Sequence, residues 1–126
     1  CEAWIARFDE VARGFERGCG EFAAAVDLLP AERRSAARKE LSMFRAQALH
    51  FRSCVDQGEF YLARERGDRA TMVARARREL ESAKSLLPLV RADSRIGFES
   101  SNQYFYIPQD VREKVLGCAE FLKGEN

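Results

Sequence analysis

Residues 37–62, ARKELSMFRAQALHFRSCVDQGEFYL, carry the longest regular hydrophobic pattern in the chain. Apolar or small residues recur there at alternating spacings of four and three, which is the repeat of a helix with one buried face. The pattern predicts a helix over residues 31–66, about 50 Å long. We expect Phe44 and Phe51, at its centre, to be buried, with each Phe→Ala change costing about 3–5 kcal/mol. The stripe consists of Ala37, Leu41, Phe44, Ala48, Phe51, Val55, Gly58 and Leu62.

The segment before this helix, residues 2–29, also has apolar residues every three or four positions and predicts a helix. Gly14, Gly18 and Gly20 each weaken a helix by about 1 kcal/mol relative to alanine. Gly18 lies on the apolar stripe, so the close approach of another helix is the simplest explanation. A break in the helix between Gly18 and Gly20 is the alternative. The stripe consists of Trp4, Phe8, Val11, Phe15, Phe22, Val26 and Leu29.

Two more helices are predicted towards the carboxyl end. Gly67 is a helix stop and Asp68 is a helix cap, which places the third helix over residues 69–92. The fourth helix begins at Pro108, where the missing N–H is harmless, and ends at Gly124. Their stripes are Val73, Ala76, Leu80, Ala83, Leu87 and Val90 in the third helix, and Val111, Val115, Cys118 and Leu122 in the fourth.

The short turns at Pro30 and Gly67 determine the predicted architecture. Helices joined by short turns pack as antiparallel neighbours, so the sequence predicts an all-α fold, an antiparallel up-down bundle of about four helices with one ordered aromatic loop. We interpret residues 1–126 as a single domain. Because the chain begins at Cys1 and not at methionine, we also interpret it as a fragment of a larger protein.

The composition argues against two classes of protein. Lys and Arg number 21 against 20 Asp and Glu, and the net charge of +1 is too small for a strongly basic nucleic-acid-binding module. No apolar run approaches the roughly 18 residues of a membrane span. We therefore expect no nucleic-acid partner and no membrane span. Arg69, Arg75, Arg77 and Arg78 are interpreted as a solvated helix face with local ion pairs.

The chain has four cysteines and one histidine, none in a recognisable site pattern. Cys1, Cys19, Cys54 and Cys118 form no CxxC pair, so we expect buried free thiols, with one disulfide as the alternative in an exported protein. His50 lies beside the apolar stripe and is expected to be a histidine at the edge of the core.

Catalytic and cofactor motifs are missing from the sequence. There is no GxSxG, no P-loop, no GxGxxG and no ExxH pair. We therefore assign no catalytic residue, no cofactor-binding residue and no metal ligand, and we expect no cofactor.

Residues 93–107, DSRIGFESSNQYFYI, have no helical repeat and are predicted to form the ordered aromatic loop. We expect its apolar side chains to tuck against the helix ends, and Asp93 and Arg95 to hold the turn by local hydrogen bonds. Its aromatic residues either seal the open end of the bundle or contact a partner. The apolar set is Ile96, Phe98 and Phe105, and the candidate partner or sugar contacts are Arg95, Glu99, Asn102, Tyr104 and Tyr106.

The last 50 residues or so resemble the C-terminal helical region of large bacterial glycoside-hydrolase-like proteins, in which a TIM barrel comes first. The resemblance rests on DSRIGFE at residues 93–99, on Tyr104 and Tyr106, and on the helix that Pro108 begins. It implies a non-catalytic accessory domain that packs against a catalytic barrel. Any hydrolase activity would reside in a domain outside this chain. The same helix also matches at Asp110, Glu113 and Lys114.

The resemblance also implies a location: an exported protein, periplasmic or extracellular, whereas without it we expect a cytoplasmic one. The alternative function is a free-standing helical protein–protein interaction module that presents the aromatic loop or the arginine face to a partner. A domain taken from a barrel exposes an apolar patch, so we further expect self-association.

Overall fold

The computed structural model describes residues 2–97 and 107–124, which contain four α-helices and, within those ranges, no strand. The helices are α1 (Glu2–Leu28), α2 (Ala31–Glu65), α3 (Arg69–Ala92) and α4 (Pro108–Lys123). The predicted all-α fold is confirmed, and the helix bounds agree with the pattern to within a residue or so. The predicted aromatic loop falls mainly on residues 98–106, outside the described residues.

The turn between α2 and α3 forms as its residues predict. Gly67 adopts a left-handed φ of 68°, which lets the backbone N–H of Asp68 donate to the carbonyl of Ala63 at 2.8 Å. The Asp68 carboxylate then accepts a hydrogen bond from the backbone N–H of Thr71 at 3.0 Å and so caps α3.

Contacts between side chains show that successive helices are antiparallel. Glu2 at the start of α1 pairs with Arg66 just beyond the end of α2, while Phe22 near the end of α1 contacts Phe44 in the first half of α2. Among the described helices, only neighbours in the chain bring their Cα atoms within 8 Å of each other. The arrangement of the described helices is therefore open: α1 lies at one edge, and among these helices it packs on α2 alone.

The helix α2 buries two faces because α1 and α3 pack against different sides of it. The predicted stripe supplies one face, but only in part: Phe44 is 41% exposed, so the prediction that it is buried is wrong. Phe44 lies at the outer edge of the α1–α2 contact. The buried residues of the predicted face are Leu41, Ala48 and Val55, and those of the second face are Ala46, Ser53, Asp56 and Ala63.

The main core cluster lies between α2, α3 and α4 and is built largely from small side chains. It includes Ile96, which is 7% exposed, as predicted for the turn after α3. The sequence pattern predicts Leu87 as a core residue, but Leu86 is the buried leucine of the cluster, and Leu87 is only partly buried at its margin. The cluster consists of Ala46, Ala83, Leu86, Val90, Ile96 and Val111.

The glycines of α1 and α2 have different surroundings. A Cβ on Gly58 would lie 2.8 Å from Ile5 Cγ1, so this glycine allows α1 to approach α2 closely. A Cβ on Gly14, Gly18 or Gly20 would meet nothing within 4 Å among the described residues. The helix runs unbroken through these three glycines, so a break is wrong, and no described helix makes the predicted close approach.

Candidate functional site

One side of the α1–α2 pair carries a continuous cluster of aromatic and aliphatic side chains that stays partly open. We call it the aromatic face. Trp4 is 48% exposed, and Val11 and Phe44 are each 41% exposed. Single exposed apolar residues are common on proteins, whereas these side chains are contiguous, which makes this surface a candidate site. The aromatic face consists of Trp4, Phe8, Val11, Phe15 and Phe22 of α1 and Phe44 and Phe51 of α2.

Ring contacts between the two helices hold the aromatic face together. Phe51 stacks on Phe15 with centroids 5.1 Å apart and also contacts Phe8 at 6.0 Å. Trp4 lies against Phe8, with ring centroids 4.1 Å apart. These rings therefore have a fixed arrangement before any partner arrives.

A groove of about 460 Å³ runs along the middle of the aromatic face. Its walls are Val11, Phe15 and Phe22 of α1 and Phe44 of α2, with Cys19 at the base. Its lining bears no charged side chain. Gly14 and Gly18 complete the lining, and because no described residue lies within 4 Å of a Cβ built on either, another backbone could approach α1 closely here.

The opposite side of α1 borders a second groove, of about 840 Å³, that is strongly polar. Arg52 of α2 crosses it and forms a two-point ion pair with Glu16, with N–O distances of 2.8 and 2.9 Å. Arg52 Nη1 also lies 2.6 Å from Asp9 Oδ1. Arginines and carboxylates line this groove in equal numbers: Arg13, Arg52, Arg66, Arg75 and Arg78 against Glu2, Asp9, Glu16, Glu59 and Asp68.

Because the two signs are equal in number and most of these charges pair with each other, the polar groove has no strong excess of either sign. The Arg13 guanidinium and, after it, that of Arg52 hold the pKa of Asp9 below its usual value. The predicted arginine face is also partly used within the chain. Arg75 pairs with Glu59 of α2, so the ion pairs are not only local as expected. We interpret the ion pairs of this groove as links from α2 to α1 on one side and to α3 on the other.

A buried polar cluster links α2, α3 and α4. The Ser53 hydroxyl donates to Glu79 Oε1 at 2.6 Å and accepts from Lys114 Nζ at 2.8 Å, while Lys114 also pairs with Glu79. Asp56 lies beside them and is 1% exposed. The Arg78 guanidinium is 3.2 Å from Asp56 Oδ1, yet neither Asp56 oxygen accepts a hydrogen bond from a described residue. Burial raises the pKa of Asp56 to about 6.

The thiols of the described helices are not activated as nucleophiles. Cys19, Cys54 and Cys118 are free and half-buried, and burial raises the pKa of each thiol above its usual value. A high pKa keeps sulfur protonated and unreactive. The half-buried His50 lies 3.9 Å from the Cys54 sulfur, and burial lowers the pKa of its imidazole. No thiolate–imidazolium pair is therefore expected here.

Two further findings concern the described ranges only. No three His, Cys, Asp or Glu side chains in residues 2–97 and 107–124 lie close enough together to hold a metal ion. None of the helices in these ranges is long and apolar enough to cross a membrane.

Of the predicted sugar or partner contacts, only Arg95 lies within the described residues. Its Nε and Nη2 bond the Asp93 carboxylate at 3.0 and 2.7 Å, and its backbone N–H donates to Asp93 Oδ1 at 3.0 Å. Arg95 lowers the pKa of Asp93 to about 2. The predicted turn is confirmed, and the Arg95 guanidinium is held at the end of α3. The others, Glu99, Asn102, Tyr104 and Tyr106, lie outside the described residues and stay a prediction.

The aromatic face was not among the predicted sites, although its signal is in the sequence. Trp4, Val11 and Phe15 lie on a stripe that a single neighbouring helix cannot cover, because it extends around α1 beyond the contact with α2. A stripe of such breadth predicts core residues, since the number of helices packed on α1 is not visible in the pattern of α1 itself.

Comparisons with protein-family models, curated proteins and solved structures found no match for this chain.

Proposed function

We propose that this chain is a non-catalytic helical interaction module, and that the aromatic face binds an amphipathic helix of a protein partner. The observation that carries this proposal is the exposure of Trp4, Val11 and Phe44 within one contiguous apolar surface. Moving such side chains from water into a protein contact is the main source of favourable free energy in association.

The shape and chemistry of the groove favour a helix as the occupant. The groove follows α1 past Gly14 and Gly18, so a second helix can pack alongside with its backbone unusually close. Because the lining of the groove has no charged side chain, it favours a partner helix with an apolar stripe. Arg7, Glu10 and Arg17, all exposed, lie beside the groove and favour charged residues flanking that stripe.

The family resemblance suggests one source for such a helix. The outer layer of a TIM barrel consists of amphipathic helices, so a glycoside-hydrolase-like barrel offers a surface of this type. Packing on a barrel as an accessory domain is thus one form of the proposed function. The free-standing interaction module is the other, and both use the aromatic face.

A photo-crosslinking residue at Val11 tests the proposal, with the same residue at Leu116 as the matched control. Both positions are exposed and apolar, at 41% and 66%, but Leu116 lies on α4, away from the aromatic face. The modified proteins are made in the cells that normally produce the chain, illuminated, and digested for mass spectrometry.

We expect the Val11 probe to capture one defined peptide with helical apolar spacing, from a barrel, another protein or this chain, and the Leu116 probe to capture none of it. The proposal is wrong if Val11 captures no defined peptide, or if both positions capture the same set of proteins equally.

A further inference from the structure

We infer that the helix covering the aromatic face is α1 of a second copy of this chain, packed antiparallel across a two-fold axis near Gly14. This inference rests on the proposed function, because it names the partner of the same surface. The groove lies almost entirely on α1, and α1 packs on α2 alone among the described helices. One complete face of α1 is thereby left for a symmetric partner.

Side-chain sizes along the exposed row of α1 match in this arrangement. Trp4, Val11, Gly18 and Ala25 follow one another at intervals of seven residues and so form one row along the helix. An antiparallel copy centred near Gly14 places Trp4 opposite Ala25 of the second copy, and Val11 opposite Gly18 of the second copy. Each large exposed side chain thus meets a small one.

The charges beside this row are self-complementary about nearly the same axis, because their pairs are centred within one residue of the centre of the row, about 1.5 Å along the helix. In an antiparallel pair related by a two-fold axis, a given flank of one helix faces the same flank of the other. Glu10 then lies opposite Arg17 of the second copy, and Arg7 opposite Glu21 of the second copy. All four side chains are exposed. The existing Arg7–Glu10 pair, at 3.0 Å, keeps two of them on this flank.

The open glycines fit the two-fold axis. Gly14 of each copy would lie at the crossing point, where the absence of a side chain allows the closest approach of the two backbones. A Cβ on Gly14 would meet nothing within 4 Å among the described residues of its own chain. A contact with a second copy supplies the close approach that the described residues of one chain do not.

Sedimentation velocity over about a hundredfold range of protein concentration tests this inference. We expect a concentration-dependent dimer for the wild type and a monomer for Gly14→Glu, which places two carboxylates at the axis. Gly20→Glu is the matched control, since Gly20 is equally open within the chain but points away from the groove. Circular dichroism checks that both variants remain helical.

A charge-reversal set tests the register. Glu10→Arg alone and Arg17→Glu alone each place like charges opposite one another twice in the dimer, so we expect each to weaken dimerisation about fivefold. The double variant Glu10→Arg/Arg17→Glu restores the opposite charges, and its dimerisation returns to the wild-type strength.

The inference is overturned by a wild-type monomer at every concentration, by equal dimerisation of Gly14→Glu and Gly20→Glu, or by a double variant no stronger than the single ones. If the wild type is monomeric and its Val11 probe captures a helix of another protein, the partner is not a second copy of this chain, but the proposed function still holds. If the Val11 probe captures no defined peptide, or if the Leu116 probe captures the same proteins, both the proposed function and the dimer are wrong.

Discussion

Asp56 is a buried charged residue that we expect to lower the free energy of unfolding. It is 1% exposed, and its ion-pair partner among the described residues, Arg78 at 3.2 Å, has a side chain that is itself 45% exposed. A buried carboxylate without hydrogen bonds loses more by leaving water than one imperfect ion pair returns. We therefore interpret Asp56 as a cost to the stability of the folded chain at neutral pH.

The stability of the folded chain should consequently rise as Asp56 is protonated. The pKa of Asp56 is about 6 in the folded chain against 3.8 for an exposed aspartate, so the proton binds more tightly when the chain is folded. The stabilisation that this bound proton gives the folded chain is fully present below pH 3.8 and is lost as the pH rises through 6.

We expect Asp56→Asn to be more stable than the wild type by about 1–3 kcal/mol at pH 7.5. At pH 4.5 the wild type should recover about 2 kcal/mol relative to the variant. Urea denaturation of both proteins at the two pH values measures this difference, in which the other titrating groups cancel. A variant less stable than the wild type at pH 7.5 would show that the Arg78 pair outweighs the cost of burial.

The two central phenylalanines of α2 should differ in their effect on stability. Phe51 contacts the rings of Phe15 and Phe8, whereas Phe44 contacts Phe22 and is 41% exposed. We expect Phe51→Ala to cost about 3 kcal/mol and Phe44→Ala about 1 kcal/mol in the free energy of unfolding. Equal losses in urea denaturation would mean that Phe44 is covered in solution.

At the scale of the helix, the sequence predicted where each element begins and ends because local rules decide this. Gly67 reverses the backbone and Asp68 caps the next helix regardless of what packs around them. The buried face of α2 depends instead on its neighbours. Apolar residues at alternating spacings of four and three indicate one buried face. Because α2 lies between two helices, it also buries Ala46 and Ala63 on a second face.

The second buried face of α2 contains polar residues, and for this reason the hydrophobic repeat does not indicate it. Ser53 and Asp56 are buried where a hydrophobic repeat has apolar residues. Ser53 is tolerated because Glu79 and Lys114, on other helices, bond it. Such compensation depends on tertiary contacts, and the spacing of apolar residues along one segment carries no information about them.

The attachment of α1 to the rest of the chain depends strongly on Arg52. This side chain bridges to Asp9 and Glu16 on α1, in addition to the ring contacts on the opposite side. We expect Arg52→Met to lower the free energy of unfolding by about 1–2 kcal/mol, since it leaves both carboxylates without this partner. Hydrogen exchange should increase in α1 and stay unchanged in the core of α3.

Arg45→Met is the control, because Arg45 is an exposed arginine of the same helix outside both grooves. We expect it to change neither stability nor exchange in α1. If Arg52→Met accelerates exchange in α1 and α3 alike, the two helices unfold together and α1 is not attached independently.

At the scale of the molecule, the sequence predicted four antiparallel helices but not the openness of their arrangement. Short turns dictate that neighbours pack together, and this is what α1–α2 and α2–α3 show. Whether the first and last helices also meet depends on how the pairs rotate about one another, which no turn residue specifies. The aromatic face exists because α1 is left at one edge, and so no local pattern could separate it from core.

The family resemblance concerns a different region. It rests mainly on residues 93–99 and on the residues up to Lys114, and the candidate contact residues of the loop beyond Arg95 stay a prediction. Arg95 itself is bonded to Asp93 and lies 3.4 Å from Glu40 of α2. Its position indicates a structural role at the end of α3.

The aromatic face is open in one chain, and we predict that it is buried when two chains associate. Trp4, the single tryptophan, lies on this face at 48% exposure and reports directly on it. Quenching of its fluorescence by acrylamide, measured against protein concentration, is the most direct test. We predict strong quenching in dilute wild-type protein, weaker quenching as the protein is concentrated, and strong quenching throughout for Gly14→Glu. Quenching that is weak even in the most dilute wild-type sample, or that does not change with concentration, would show that association does not bury this face.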